Sequence, residues 1–195
     1  MSQVGFLRYK RKDFGGLDDF LKTIELEVKP RVAALAPVDP ANQAIFGHSF
    51  GGFAVLRALF VEPNAFRTFI IASPPIFWDH NTVLADQGKF AAAVNSGHAA
   101  PPVLVTMGGE ESTPPELPAS GRTVENARKL VTWLKTLHSS AGYTVEDYAV
   151  FDKTRHVYSP WPALSRGIAF AFPGNQSGAK TLQGARGQST RKRLI

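Results

Sequence analysis

The chain has 195 residues, 44% apolar and 19% charged, which is the size and balance of one soluble globular domain with room for a real core. It contains no cysteine, so disulfides, thiol catalysis and thiolate metal sites are excluded, and no apolar run approaches the roughly 18 residues of a membrane span. The formal charge of +6 sits mostly in Lys180, Arg186, Arg191, Lys192 and Arg193, which leaves the body near neutral and argues against a nucleic-acid partner.

In chain order, residues 1–12 are a basic N-terminal segment without an apolar signal core, which predicts no secretory leader and a cytoplasmic chain. A core of alternating helices and strands is expected over 13–173. Leu17, Phe20, Leu21, Ile24 and Val28 recur at helical spacing, predicting an amphipathic helix over 16–35 that Pro30 should kink or break. Val38-Asp39-Pro40 reads as a turn. Ala44-Ile45-Phe46 begins a buried strand over 43–47, and Phe53 to Phe60 lies in a helix over 50–61 that Glu62-Pro63-Asn64 ends. A second strand, Phe69 to Ala72, leads into an aromatic loop, Ser73 to Asp79, and a short helix over 86–94. The third strand is Pro102 to Met107. The loop Gly108 to Pro118 follows, then an amphipathic helix marked by Ala127, Leu130, Val131, Leu134 and Leu137. Thr144 to Phe151 alternates as a strand does, Asp152 to Ser159 is a loop, and Pro160 opens a last helix through Phe172. Residues 174–195 are rich in Gly, Ser, Gln and Thr and read as a disordered basic tail. Strands alternating with helices predict an α/β fold with a largely parallel sheet, whose functional residues gather beyond the strands' carboxyl ends.

The chemistry concentrates at Gly47-His48-Ser49-Phe50-Gly51-Gly52, a Gly-x-Ser-x-Gly turn between a strand and a helix. Such a turn exposes a serine hydroxyl on a strained backbone, and small residues two before and two after it keep the strand and helix from clashing. A hydroxyl needs a base within hydrogen-bond reach, and an imidazole can both take and return its proton. Loops after the first, third and last strands carry serine, acid and histidine in that order, the chain order of an α/β-hydrolase triad. His156 is the candidate base. His48 is expected beside the nucleophile, His138 at a solvated helix end, and His80 and His98 in the irregular region. Glu110 and Glu111 are adjacent, so both cannot face one imidazole, and Asp152 is a rival for the same role. Among the three, Glu111 is preferred for the resemblance set out below.

Phe46-Gly47-His48-Ser49-Phe50-Gly51-Gly52-Phe53, with Ala58-Leu59-Phe60 and Pro63, resembles the Putative esterase family of α/β-hydrolases. That family includes ferric siderophore esterases of the enterobactin and salmochelin type and S-formylglutathione hydrolase. Ala72 to Asp79 resembles the aromatic loop of the siderophore esterase branch, with Pro75 and Phe77 replacing a typical serine and tryptophan. Phe14 to Leu21 and Glu27-Val28-Lys29-Pro30 resemble its helix before the serine, and Gly108-Gly109-Glu110-Glu111 its Gly-x-x-Glu. The likeness runs from about residue 13 to 172.

The resemblance implies a serine esterase acting through an acyl-enzyme, with Ser49 as nucleophile, His156 as base, Glu111 as acid and the Phe50 N–H in the oxyanion hole. It implies His48, Phe77 and Trp78 at the substrate, a siderophore such as a catecholate trilactone as one substrate class, and no metal or cofactor. It also implies an incomplete fold. Family members carry further N-terminal strands and a second oxyanion donor where this chain has only Met1 to Lys12. An alternative expectation is therefore an impaired or inactive α/β-hydrolase serving as a binding module, with an exposed sheet edge available for self-association.

Overall fold

The computed structural model describes residues 15–111, 123–138, 142–146 and 148–174. The basic N-terminal segment, most of the Gly108–Pro118 loop and the basic tail beyond Gly174 lie outside them.

The opening helix does not break at Pro30. It runs as α1 (Leu17–Thr23), a π turn (Ile24–Val28) and α2 (Lys29–Leu35). Pro30 falls in the first turn of α2, just after the widened stretch, in which the Lys29 N–H reaches the Ile24 carbonyl. A proline in regular helix removes one hydrogen bond and drives its ring into the carbonyl four residues back; the wider turn gives that ring room. Only Leu21 is buried along this helix, while Phe20, Leu26, Val28, Val32 and Leu35 are exposed.

The sheet is β1 (Ala44–His48), β2 (Thr68–Ala72), β3 (Val103–Gly108) and β4 (Ala149–Phe151), in the order β1-β2-β3-β4 and wholly parallel. Parallel neighbours require a crossover. Helices α3 (Phe50–Val61), α4 (Gln87–Asn95) and α5 (Thr123–Leu134) supply them, and α6 (Pro160–Ala171) follows the last strand. The segment expected to be one strand over 144–151 touches β3 at two separate places. Val145 bridges Val103, and β4 pairs with Thr106 to Gly108.

Alternation along β2 and β3 splits the core between two faces. Phe69, Ile71, Val103, Val105 and Met107 join Leu56, Leu59, Phe90 and Leu134 in the larger cluster beneath α3, α4 and α5. Ile70 and Leu104 point to the other face, where Ala171, Phe170 and Phe172 cover them. His48 is level with Ala72, and Ala72 with Thr106, so the loops after β1, β2 and β3 leave the sheet side by side. That register brings the polar residues together.

Candidate active site

Ser49 sits between β1 and α3 with φ 58 and ψ −122, a left-handed backbone that a residue with a Cβ rarely adopts. Its N–H donates to the Ala72 carbonyl at 3.0 Å, and its carbonyl receives the Phe53 N–H at 2.9 Å, so both sides of the turn hold it there. A Cβ on Gly47 would press into the Gly51 carbonyl, and one on Gly52 into the Ala72 carbonyl. The second small residue is thus required at 52 and not, as the motif suggested, at 51. Gly51 is exposed and a Cβ there meets nothing within 4 Å, because the first turn of α3 carries position 51 away from β2 and position 52 towards it.

His156, in the loop after β4, places Nε2 2.9 Å from Ser49 Oγ and Nδ1 2.7 Å from Glu111 Oε2. An ionised carboxylate only accepts, so the hydrogen of neutral His156 is on Nδ1 and the Nε2 lone pair receives the Ser49 hydroxyl. The Glu111 side chain is 3% exposed. Its Oε1 receives the Gly108 N–H and the Ser73 hydroxyl, each at 2.7 Å. Burial alone would push this carboxyl up, but hydrogen bonds from His156, Ser73 and Gly108 outweigh it and hold Glu111 below the usual glutamate range. The two rival acids lie elsewhere: Glu110 is exposed and pairs with Arg155 at 3.4 Å, and Asp152 is exposed, its carbonyl receiving the Thr154 hydroxyl.

His48 turns its Nε2 onto the buried Ser159 hydroxyl at 3.0 Å, and its ring tilts against that of His156 at 4.6 Å between centroids. Burial, then the neighbouring His156 charge, lower its pKa against an opposing pull from Glu111. Trp78 meets Phe50 edge-on at 5.1 Å, with Phe77 partly buried before it. Beside them lies a cleft of about 980 Å³ lined by Phe53, Trp78, Asp79 and His80, and by Arg57 with its partners Asp18 and Asp86. His98 and His138 are exposed, and His98 bonds Ser96. Among the described residues no three His, Asp or Glu side chains gather as a metal site would require, and no helix is long and apolar enough to cross a membrane.

Two residues of this cluster escaped the sequence reading. Ser73, one residue past β2, bonds Glu111. Ser159, directly before α6, bonds the His156 carbonyl at 2.9 Å. Ser73 lies in a run legible only as an aromatic loop. A serine before a helix-opening proline looks like an N-cap, yet this one makes no side-chain cap bond.

The Esterase family, described as Putative esterase, matches residues 6–165. The ferri-bacillibactin esterase BesA of Bacillus subtilis is 32% identical over 161 residues, covering 82% of this chain and 53% of that protein. The siderophore triacetylfusarinine C esterase of Aspergillus fumigatus is 38% identical over 104 residues, covering 52% of this chain and 36% of that protein. The crystal structure of the BES protein from Bacillus cereus superposes with a TM-score of 0.73 at 25% identity, over 88% of this chain and 59% of that one. The chain thus spans about half the length of BesA, and its parallel sheet with flanking helices is the α/β-hydrolase fold, present in part.

Proposed function

Because this chain belongs to the Putative esterase family, we propose that it hydrolyses carboxylic esters through an acyl-enzyme on Ser49. The Ser49 Oγ attacks the ester carbonyl carbon as its proton passes to His156 Nε2. The Phe50 N–H, at the positive end of α3, holds the oxyanion that forms. Collapse of that intermediate breaks the bond to the alcohol, which leaves with the proton from His156. Water then attacks the acyl carbon, gives a proton to His156, and Ser49 departs with it. Glu111 stays ionised throughout, fixing the imidazole's tautomer and balancing its charge.

The observation that carries this reading is the chain of contacts from Ser49 Oγ through His156 to Glu111, at 2.9 and 2.7 Å. The substrate class we favour is a siderophore ester, for which a catecholate trilactone is the model. The names of the relatives support it, as do the exposed ring of Phe50 and the adjoining Trp78, with Phe77 beside it, on which a flat ring could stack.

Turnover of p-nitrophenyl acetate and labelling by a fluorophosphonate test the mechanism. Ser49→Ala is expected to lower kcat by about 10⁴-fold or more and to abolish labelling. Hydrolysis that survives Ser49→Ala would remove the assignment.

A second reading, a non-catalytic binding module that completes its sheet with a partner or a second copy, draws support from the exposed apolar side of α1 and α2. Among the described residues β1 pairs with β2 alone, which leaves an edge for such a contact. A folded chain that neither labels nor turns over ester would favour it.

A further inference from the structure

We infer that the buried Ser73 and Ser159, with the half-buried His48, form a relay that positions the acid and the base of the reaction. The inference rests on the reading of Ser49, His156 and Glu111 given above, since a relay of this kind has no role in a chain without that reaction.

Both hydroxyls are almost wholly removed from water, with Ser73 2% and Ser159 1% exposed. Four polar contacts join the group. Ser73 Oγ lies 2.7 Å from Glu111 Oε1 and 3.1 Å from Ser159 Oγ. Ser159 Oγ lies 2.9 Å from the His156 carbonyl and 3.0 Å from His48 Nε2. The available protons decide how these contacts are made. A carboxylate and a carbonyl accept only, and each hydroxyl has one hydrogen to give. Ser73 therefore gives its hydrogen to Glu111. Ser159 gives its own either to the His156 carbonyl or to Ser73. With the His48 hydrogen on Nε2, three of the four contacts are satisfied whichever way Ser159 turns. With that hydrogen on Nδ1, Ser159 must donate to His48 and only two are satisfied. His48 is thus an Nε2–H donor, and the burial that lowers its pKa favours the neutral form.

The group reaches two parts of the triad by contacts other than the Glu111–His156 bond, with the single Ser159 hydrogen serving either Ser73 or the His156 carbonyl at one time. Ser73 holds the outer oxygen of Glu111, leaving Oε2 aimed at His156. Ser159 holds the main chain of His156 when its hydrogen is on that carbonyl, and His48 donates to Ser159 in either setting. Ser73 is kept in place at a cost: its φ of 47 is left-handed. Its N–H bond to the Thr106 carbonyl at 2.9 Å ties that conformation to the end of β3, two residues before Gly108, whose N–H also holds Glu111. A neutral His48 also avoids placing a second positive charge beside His156 when the base takes its proton.

Ser73 and Ser159 are too buried to meet substrate, and the His48 Nε2 is turned onto Ser159, so loss of these contacts should lower kcat and spare KM. Steady-state kinetics on p-nitrophenyl acetate are to be measured for Ser73→Ala, Ser159→Ala and their double variant. Each single variant is expected to lose about 10- to 100-fold in kcat, the cost of a small misplacement of reacting groups, with KM unchanged within about twofold. The double variant should lose less than the product of the two, because both act through one relay. His48→Gln, whose amide can still donate to Ser159, should keep kcat within about threefold, while His48→Leu should lose about tenfold or more. A serine variant that fails to fold leaves the His48 pair to decide. A large difference between Gln and Leu supports the relay, and equal values overturn it. Serine variants with wild-type kcat overturn the relay as well, and the ester-hydrolase reading then stands or falls separately on Ser49→Ala.

Discussion

Two helices of this chain look alike in sequence and differ in surroundings. The helix before β1 and α3 both carry apolar residues at helical spacing. In α3, Leu56 and Leu59 are wholly buried, whereas Leu26 and Leu35 of the opening helix are 74% and 88% exposed. Apolar periodicity reveals which face of a helix seeks cover. Whether cover exists depends on residues far away in the chain, and here the sheet supplies it for α3 alone. The largest expected effect follows from that contrast. Leu59→Ala should cost about 2–5 kcal/mol in urea unfolding, the price of a buried cavity. Leu35→Glu should change stability by no more than about 0.5 kcal/mol and improve solubility. A Leu35→Glu cost comparable to that of Leu59→Ala would mean that something covers this helix in solution.

The loops beyond the strand ends hold two titratable groups, Glu111 and His48, whose ionisation differs between the folded and the unfolded chain. The folded state holds Glu111 below its ordinary value of 4.5 and His48 below 6.5. As pH falls, the unfolded chain takes up protons at these groups before the folded one does, so stability is lost with acidification through both steps. The first loss begins near the ordinary histidine value, the second near the ordinary glutamate value. Asp18 and Asp86, lowered chiefly by hydrogen bonds from Arg57 and from Lys89 respectively, add to the loss at still lower pH. Melting temperature measured against pH should therefore decline towards acid. The step near the histidine value should vanish in His48→Gln and the next should shrink in Glu111→Gln. Unchanged curves in both variants would locate the acid sensitivity elsewhere.

Much of this was legible because it is local. The β1–turn–α3 unit, the bounds of β2 and β3 within a residue, and the last helix all follow from short apolar runs and their flanking Gly, Pro and Asn. Ser49 and His156 could be named because each belongs to a loop that follows a strand, whereas Glu111 was set apart from Glu110 and Asp152 by the resemblance of Gly108-Gly109-Glu110-Glu111 to the family's Gly-x-x-Glu. Ser73 and Ser159 could not be named, since their shared contact spans 86 residues and leaves no trace in either neighbourhood. The π turn ahead of Pro30 and the division of the 144–151 segment are hidden for a related reason. Each is a compromise between a local preference and a packing demand from elsewhere, and sequence reveals only the preference.

The smallest effect sharpens the same contrast between buried groups with partners and those without. Thr106, in the middle of the sheet, is as inaccessible as Ser159, but its hydroxyl has no hydrogen-bond partner among the described residues. An unsatisfied buried hydroxyl costs about 1–3 kcal/mol in lost hydration, while its replacement by a methyl group of similar shape removes that cost and keeps the packing. Thr106→Val should therefore raise stability by about 1 kcal/mol in urea unfolding, with β-branching preserved for the strand. Ser159→Ala, which strips a hydroxyl of the same burial from a bonded network, should move stability the opposite way. Were both to shift it in one direction, burial rather than pairing would govern these hydroxyls, and the distinction drawn between the sheet interior and the loops above it would fail.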